Sequence, residues 1–357
     1  MNAGHHPARY GVALGDGRIR CDACPRACAL RDGQRGLCFV RMNEGGELVS
    51  TTYGRSSGFC VDPIEKKPLA HFLPGSSVLS FGTAGCNLTC KFCQNWDISK
   101  SKEMDTLADA ATPEAIAEAA ARAGSRSVAF TYNDPVIFIE YAMDVADACH
   151  EKGIKTVAVT AGYIGDEARR DFFAKVDAAN VDLKGFTEDF YRKVCGAELA
   201  RVKETLLYIK AETKTWLELT TLLVPGENDS DAEIEALSAW VAEELGPETP
   251  LHFSAFHPDY KMRDVPPTPP STLRRARRIA KAAGLRHVYT GNVHDLEGDT
   301  TLCDACGAKV IERDWYEVLA YRLDPEGRCT ACGHTLAGVF GGGPEHFGRR
   351  RLRVAIA

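Results

Sequence analysis

The chain has 357 residues, 45% hydrophobic and 26% charged; this balance excludes a disordered or collagen-like polypeptide and suits one large α/β domain with appendages or two medium domains. A formal net charge of −6, from 43 basic and 49 acidic residues, supplies no field for gripping phosphate backbones, so a nucleic-acid partner is not expected. No uncharged apolar run reaches the roughly 18 residues that span a bilayer and the N-terminus lacks the apolar core of a secretion signal, so no membrane partner and a cytoplasmic location are expected.

Residues 1–75 carry little periodicity and many Gly and Pro, and read as a cysteine-rich N-terminal appendage. From Ser77 the texture changes. Short runs rich in Val, Leu and Phe, as buried parallel strands are, fall at Ser77–Thr83, Ser127–Tyr132, Lys155–Thr160 and Ala178–Leu183. Three more follow at Thr215–Val224, Pro250–Phe256 and Arg286–Thr290. Helical patterns alternate with them: Glu114–Arg122, opened by Thr112-Pro113 and closed by Gly124, then Pro135–Lys152, Asp166–Lys175, Arg201–Ala211, Ser230–Glu244 and Thr272–Ala283. Such alternation predicts a parallel α/β barrel or an open doubly wound sheet over residues 76–294, with ligands at the C-terminal ends of the strands. Residues 295–357 lose the alternation and read as a third module. The basic runs Arg274–Arg278 and Arg349–Arg353 read as helix surface and tail.

Fourteen cysteines are the anomaly, and eleven of them fall into three tight groups. In a reducing compartment such groups mean metal or catalysis rather than disulfides. Cys86, Cys90 and Cys93 form a CxxxCxxC in the loop after the first strand. Three thiolates can hold three irons of a [4Fe–4S] cubane and leave the fourth iron open to an exogenous ligand; the plainer alternative is a structural zinc completed by a distant residue.

This motif, with Phe92 before the third cysteine, resembles the signature of the radical S-adenosylmethionine (SAM) superfamily. The string Gly85–Ser99 (GCNLTCKFCQNWDIS) is similar to the branch containing pyruvate formate-lyase activating enzymes, and closer still to the AmmeMemoRadiSam-system radical SAM enzymes. The likeness runs through Cys21–Arg41, Asp62–Gly75, Thr131–Tyr141, Val181–Gly185, Leu222–Ser230, Phe256–Met262 and Tyr289–Val293. It implies a partial (β/α) barrel and an enzyme that reductively cleaves SAM at the cluster to a 5′-deoxyadenosyl radical, which abstracts hydrogen from a substrate the sequence does not identify. It also implies a flavodoxin- or ferredoxin-like reductant, with Memo-type and AMMECR-type proteins as partners.

The resemblance assigns cofactor contacts residue by residue. Phe92 belongs to the cluster motif. Asn133 and Asp134, in a TYNDP stretch where this branch has TYNEP, go to the methionyl amine, although an Asn-Asp-Pro turn also caps a following helix. Thr160 follows the third strand beside Ala161, which stands where the branch has an asparagine. Asp182 and Lys184 match a DxK pattern and, two apart on a strand, point to one side of the sheet; a structural ion pair is the alternative. His257 is placed near the SAM ribose or substrate, and Asn292 similarly. Lys66 and Lys67 read as a solvated face.

The outer groups are read from spacing. Cys303, Cys306, Cys329 and Cys332 form two CxxCG knuckles, which build a tetrahedral S₄ site for Zn²⁺, or for iron as in rubredoxin. Cys21, Cys24, Cys28 and Cys38 offer four ligands for zinc or an auxiliary Fe–S cluster, and spacing does not choose. Cys60, Cys149 and Cys195 read as inert buried thiols. Against the radical enzyme stand a glycyl-radical-enzyme activase, a simple electron carrier, and a non-catalytic metal-binding scaffold.

Overall fold

Seven short apolar strands pair in parallel, with a helix between each consecutive pair. The computed structural model describes residues 5–100, 107, 109–341, 343 and 347–356. The strands are β1 (Ser77–Phe81), β2 (Ser127–Phe130), β3 (Lys155–Thr160), β4 (Ala178–Asp182), β5 (Trp216–Leu223), β6 (Leu251–Ala255) and β7 (Val288–Gly291), neighbouring in sequence order. The helices between them are α1 (Pro113–Arg122), α2 (Ile139–Glu151), α3 (Asp166–Phe173), α4 (Leu199–Glu212), α5 (Asp231–Trp240) and α6 (Pro270–Ala282). The chain is therefore a partial parallel (β/α) barrel, as the resemblance implies and as one of the two forms the alternation allows. Thr112 caps α1 by accepting from Ala115 N, and Pro113 sits at its first turn. The expected helix from Pro135 begins instead as a 3₁₀ turn, Pro135–Phe138, before α2. No helix among the described residues is long and apolar enough to cross a membrane.

Two pieces of chain that the sequence assigned to the appendages belong to the barrel. Phe59–Pro63 pairs antiparallel with β1, and Leu352–Val354, which overlaps the end of the run Arg349–Arg353 read as surface tail, pairs with Phe59–Pro63. Residues 64–73 then run through the lower interior of the barrel. Ile64, Leu69, Phe72 and Leu73 pack there against Val78, Ala129, Val157 and Ala178. Their backbone is held by inward residues of the strands: Asn180 Nδ2 donates to Pro68 O at 2.7 Å, and Ala70 N and His71 N donate to the two oxygens of Glu218 at 2.9 and 2.8 Å. His252 Nε2 lies 2.7 Å from Glu218 Oε2, and Tyr289 Oη 2.7 Å from His71 Nε2. Lys67 corrects the expectation of a solvated face. It is 2% exposed, with Nζ 2.9 Å from Asp62 Oδ2 and 5.0 Å from the centre of the Tyr132 ring; burial pushes its ammonium down to about 8 against the pull of Asp62.

The N-terminal residues form two small three-stranded sheets, and the C-terminal cysteines flank a third made of Thr301–Leu302, Lys309–Asp314 and Glu317–Tyr321. Buried Arg313 of this last sheet donates to Ala70 O at 2.6 Å, fastening the C-terminal module to the segment inside the barrel.

Candidate active site

Above the residues that hold the internal segment, the same strands leave a cavity of about 270 Å³ at their C-terminal ends. Period-2 alternation makes the connection: Asn180 and Glu218 face down to the segment, while Asp182 and Thr220, paired in register and one step further along β4 and β5, line the cavity. Cys86, Cys90 and Cys93 line its opposite wall on the loop after β1. Motif and strand ends are thus brought together.

Lys184 Nζ lies 2.7 Å from Asp182 Oδ2 and 5.9 Å from the centre of the Phe92 ring. Burial works against its charge, but Asp182 and the neighbouring thiols of Cys90 and Cys195 outweigh burial and hold it well above the usual lysine range. The cavity therefore carries a fixed cation beside the cysteines, suited to a ligand carboxylate.

Asn133 and Asp134 line the cavity too, but their polar atoms already serve the scaffold. Asn133 Oδ1 accepts from Thr83 N at 3.0 Å, and its Nδ2 donates to Thr83 Oγ1 at 3.2 Å and Gly85 O at 2.9 Å, which ties the cysteine loop to the end of β2. The Asp134 carboxylate accepts from Val136 N at 3.1 Å, Ala161 N at 2.8 Å and Thr160 Oγ1 at 3.1 Å. Burial nonetheless leaves its pKa raised. Thr160, also on the wall, is spent on Asp134. His257 is exposed, its Nδ1 2.7 Å from Gln94 Nε2; Gln94 and Asn292 line the cavity and His257 does not.

Two residues are additions to the sequence reading. Thr220 Oγ1 is buried in the cavity wall with no hydrogen-bond partner, an orphaned hydroxyl of the kind a bound polar ligand satisfies. Threonine and glutamate inside the otherwise apolar WLELTTLL strand are the signal that could have found it. Cys195, read as inert, ends a π-turn, Tyr191–Cys195, and its thiol hydrogen-bonds Cys90, holding that thiol below the ordinary cysteine range despite burial. Burial pushes Cys86 up to about 12. No spacing rule marks Cys195.

The three thiols fit a cluster better than a single ion. Among the described residues, only Cys303, Cys306, Cys329 and Cys332 gather three or more potential ligand atoms all within 4.8 Å of one another. Their sulfurs approach to 3.7 Å (Cys303 to Cys332) and 3.8 Å (Cys306 to Cys329). A tetrahedral ion with bonds of about 2.3 Å demands sulfur separations of about 3.8 Å, so this set can bind one metal ion. The central triad is spread wider, as a polynuclear centre requires, and its three thiols line the cavity, whereas the neighbouring Cys195 does not.

The profile of the Radical SAM superfamily matches residues 81–237. The uncharacterized protein MJ0808 of Methanocaldococcus jannaschii is 43% identical over 330 residues, covering 92% of this chain and 98% of that protein. A pyruvate formate-lyase-activating enzyme of Clostridium pasteurianum is 25% identical over 51% of this chain and 80% of its own. Among solved structures, a domain of the pyruvate-formate lyase-activating enzyme from Bacteroides vulgatus aligns with a TM-score of 0.42 and 16% identity, over 46% of this chain and 99% of that domain. The match places residues 81–237 in the radical SAM superfamily, a superfamily of enzymes whose cofactors are a [4Fe–4S] cluster and SAM.

Proposed function

We propose that the chain is a radical SAM enzyme of the AmmeMemoRadiSam type, with its cluster on Cys86, Cys90 and Cys93 and SAM in the cavity above β4 and β5. The cluster, when bound, supplies the electron that breaks the C5′–S bond of SAM and so generates a 5′-deoxyadenosyl radical able to take a hydrogen from substrate. The residues of the chain position and protect. Lys184 neutralises the methionyl carboxylate while Asp182 orients the ammonium. The hydroxyl of Thr220 takes a polar group of SAM, and Phe92 packs beside the loop. Asn133 and Asp134 hold the β1 and β3 loops at fixed height, which keeps the thiols aimed into the cavity. The segment inside the lower barrel closes the floor against water. The carrying observation is the convergence of three thiols, a buried cation and an unpartnered hydroxyl on one cavity at the strand ends.

The wider reading includes a flavodoxin- or ferredoxin-class reductant, Memo-type and AMMECR-type partners, Zn²⁺ in the C-terminal tetrad and a cytoplasmic site. Anaerobic reconstitution followed by EPR of the reduced protein with and without SAM tests its core. The expected result is a [4Fe–4S] signal that SAM shifts, with 5′-deoxyadenosine formed in the same tube, both lost in Cys90→Ala. A loaded protein with no SAM-dependent shift and no cleavage rejects the proposal.

The similarity to the Clostridium activating enzyme favours a second reading, a glycyl-radical-enzyme activase. It predicts a stable glycyl radical signal on a partner protein after turnover, and its absence with free turnover on small substrates selects the first.

A further inference from the structure

Four cysteines take no part in the barrel chemistry. Cys21 and Cys28 face each other across the antiparallel pair Ile19–Cys21 and Cys28–Leu30, and Cys24 lies in the connection between these strands. Cys38 reaches the same place from a following loop, its sulfur and that of Cys28 both within 3.8 Å of the position a side chain on Gly36 would take. All four line one cavity. Among the described residues, however, no three of these sulfurs lie within 4.8 Å of one another, in contrast to the C-terminal set. One zinc ion holds its thiolates about 3.8 Å apart; a cubane, with iron and sulfide between its ligands, holds them farther apart. The N-terminal set shares its wider spacing with the central triad.

A second observation points to an anion at the same place. Arg41 lines this cavity, is 2% exposed, and commits Nη2 to Glu140 Oε2 at 2.6 Å. Its Nε is buried without a hydrogen-bond partner, which costs free energy unless an acceptor is present. Sulfide or thiolate of a cluster is such an acceptor, and hydrogen bonds of this kind tune cluster potentials.

We propose that Cys21, Cys24, Cys28 and Cys38 hold a second [4Fe–4S] cluster, with Arg41 Nε directed at its sulfur. Four protein ligands leave no open iron, so this cluster does not bind SAM. It shares a wall with the central loop. Asn87, next to Cys86, lines the N-terminal cavity. The carbonyl of Cys38 comes within 2.1 Å of where a Cβ on Gly85 would stand, and Gly85 has φ of +85°, so only glycine lets the two loops close. Gly165 N donates to Ala23 O at 2.9 Å, and Arg26 donates to the carbonyls of Asn87 and Gly196.

The proposal stands whether or not the triad cleaves SAM. Its test is the metal and sulfide content of anaerobically reconstituted full-length Cys86→Ala/Cys90→Ala/Cys93→Ala protein. About four irons and four acid-labile sulfides per chain are expected to remain, with a reduced cubane EPR signal that SAM does not move. Cys21→Ser/Cys38→Ser in the wild-type background should lose the same amount while keeping the SAM-responsive signal and the C-terminal metal. Zinc in place of iron at the N-terminal set, or sulfide that disappears wholly with the triad, overturns the assignment. Should the triple variant fail to fold, the wild type decides: about eight irons and eight sulfides support two clusters, about four of each refute the second.

Discussion

The upper and lower halves of the barrel interior are built from the same strands and end in opposite conditions. In the lower half, Asn180, Glu218 and Tyr289 grip residues 68–71, His252 braces Glu218, and the space is filled by the chain itself. One step further along, Asp182 and Thr220 face an open cavity, and Thr220 Oγ1 waits without a partner. Polar residues on a buried strand face mean different things in the two halves. Asn180 Nδ2 and Glu218 are spent on a backbone, although Asn180 Oδ1 has no partner; Thr220 Oγ1, unpartnered on the cavity wall, marks where a ligand goes.

The largest effect should come from breaking the lower half. Glu218 is fully buried and accepts from Ala70 N, His71 N, Trp216 Nε1 and His252. Glu218→Ala should cost about 3–5 kcal/mol in urea denaturation of the reconstituted protein. A cost under about 1 kcal/mol would show that the internal segment is held by its apolar residues alone.

Acid should act on the same group. Burial raises the Glu218 pKa, but the His252 hydrogen bond, the charges of His252 and His71 and the backbone donors outweigh it and bring it down to about 2. A depressed folded-state pKa contributes stability present above the unfolded value near 4.3 and lost as pH falls towards about 2, on the order of 3 kcal/mol in total. Denaturation midpoints measured across that window should fall in wild type and stay flatter in Glu218→Gln; parallel curves would refute the assignment.

Upper-half variants should affect binding more than folding. Lys184→Met is expected to weaken SAM about tenfold or more, since hydrogen bonds to charged groups contribute about 1.5–3 kcal/mol, with a smaller stability loss than Glu218→Ala. Equal loss of both would make the Asp182–Lys184 pair structural. Thr220→Val should weaken SAM by roughly two- to tenfold, the equivalent of about 0.5–1.5 kcal/mol, and leave stability unchanged or raised. Calorimetric titration of the reconstituted variant decides, and unchanged affinity would assign the orphan hydroxyl no ligand.

Much of the barrel was legible because parallel strands and covering helices have strong periods, and the cysteine groups because metal ligands cluster in sequence. Residues 64–73 were not. They pack as single side chains in a non-repeating path, so their burial has no period to detect, and Lys67 looked solvated because its partner Asp62 comes from an adjoining strand. Asn133 illustrates another limit. Its place beside the cysteine loop followed from the motif, yet only the hydrogen bonds to Thr83 and Gly85 show that its amide braces that loop. Cys195 joins Cys90 from more than a hundred residues away, a proximity created wholly by the folding of the strand connections.

The pairing of Leu352–Val354 with Phe59–Pro63 has a consequence on the ribosome. Roughly 290 residues of translation separate the two strands, which at 5–20 residues per second leaves the outer edge of Phe59–Pro63 without its partner for about 15–60 s. An apolar edge exposed that long invites pairing with other chains. The nascent protein thus passes through an interval in which a chaperone, or dilution, has to do what its own final strand does later.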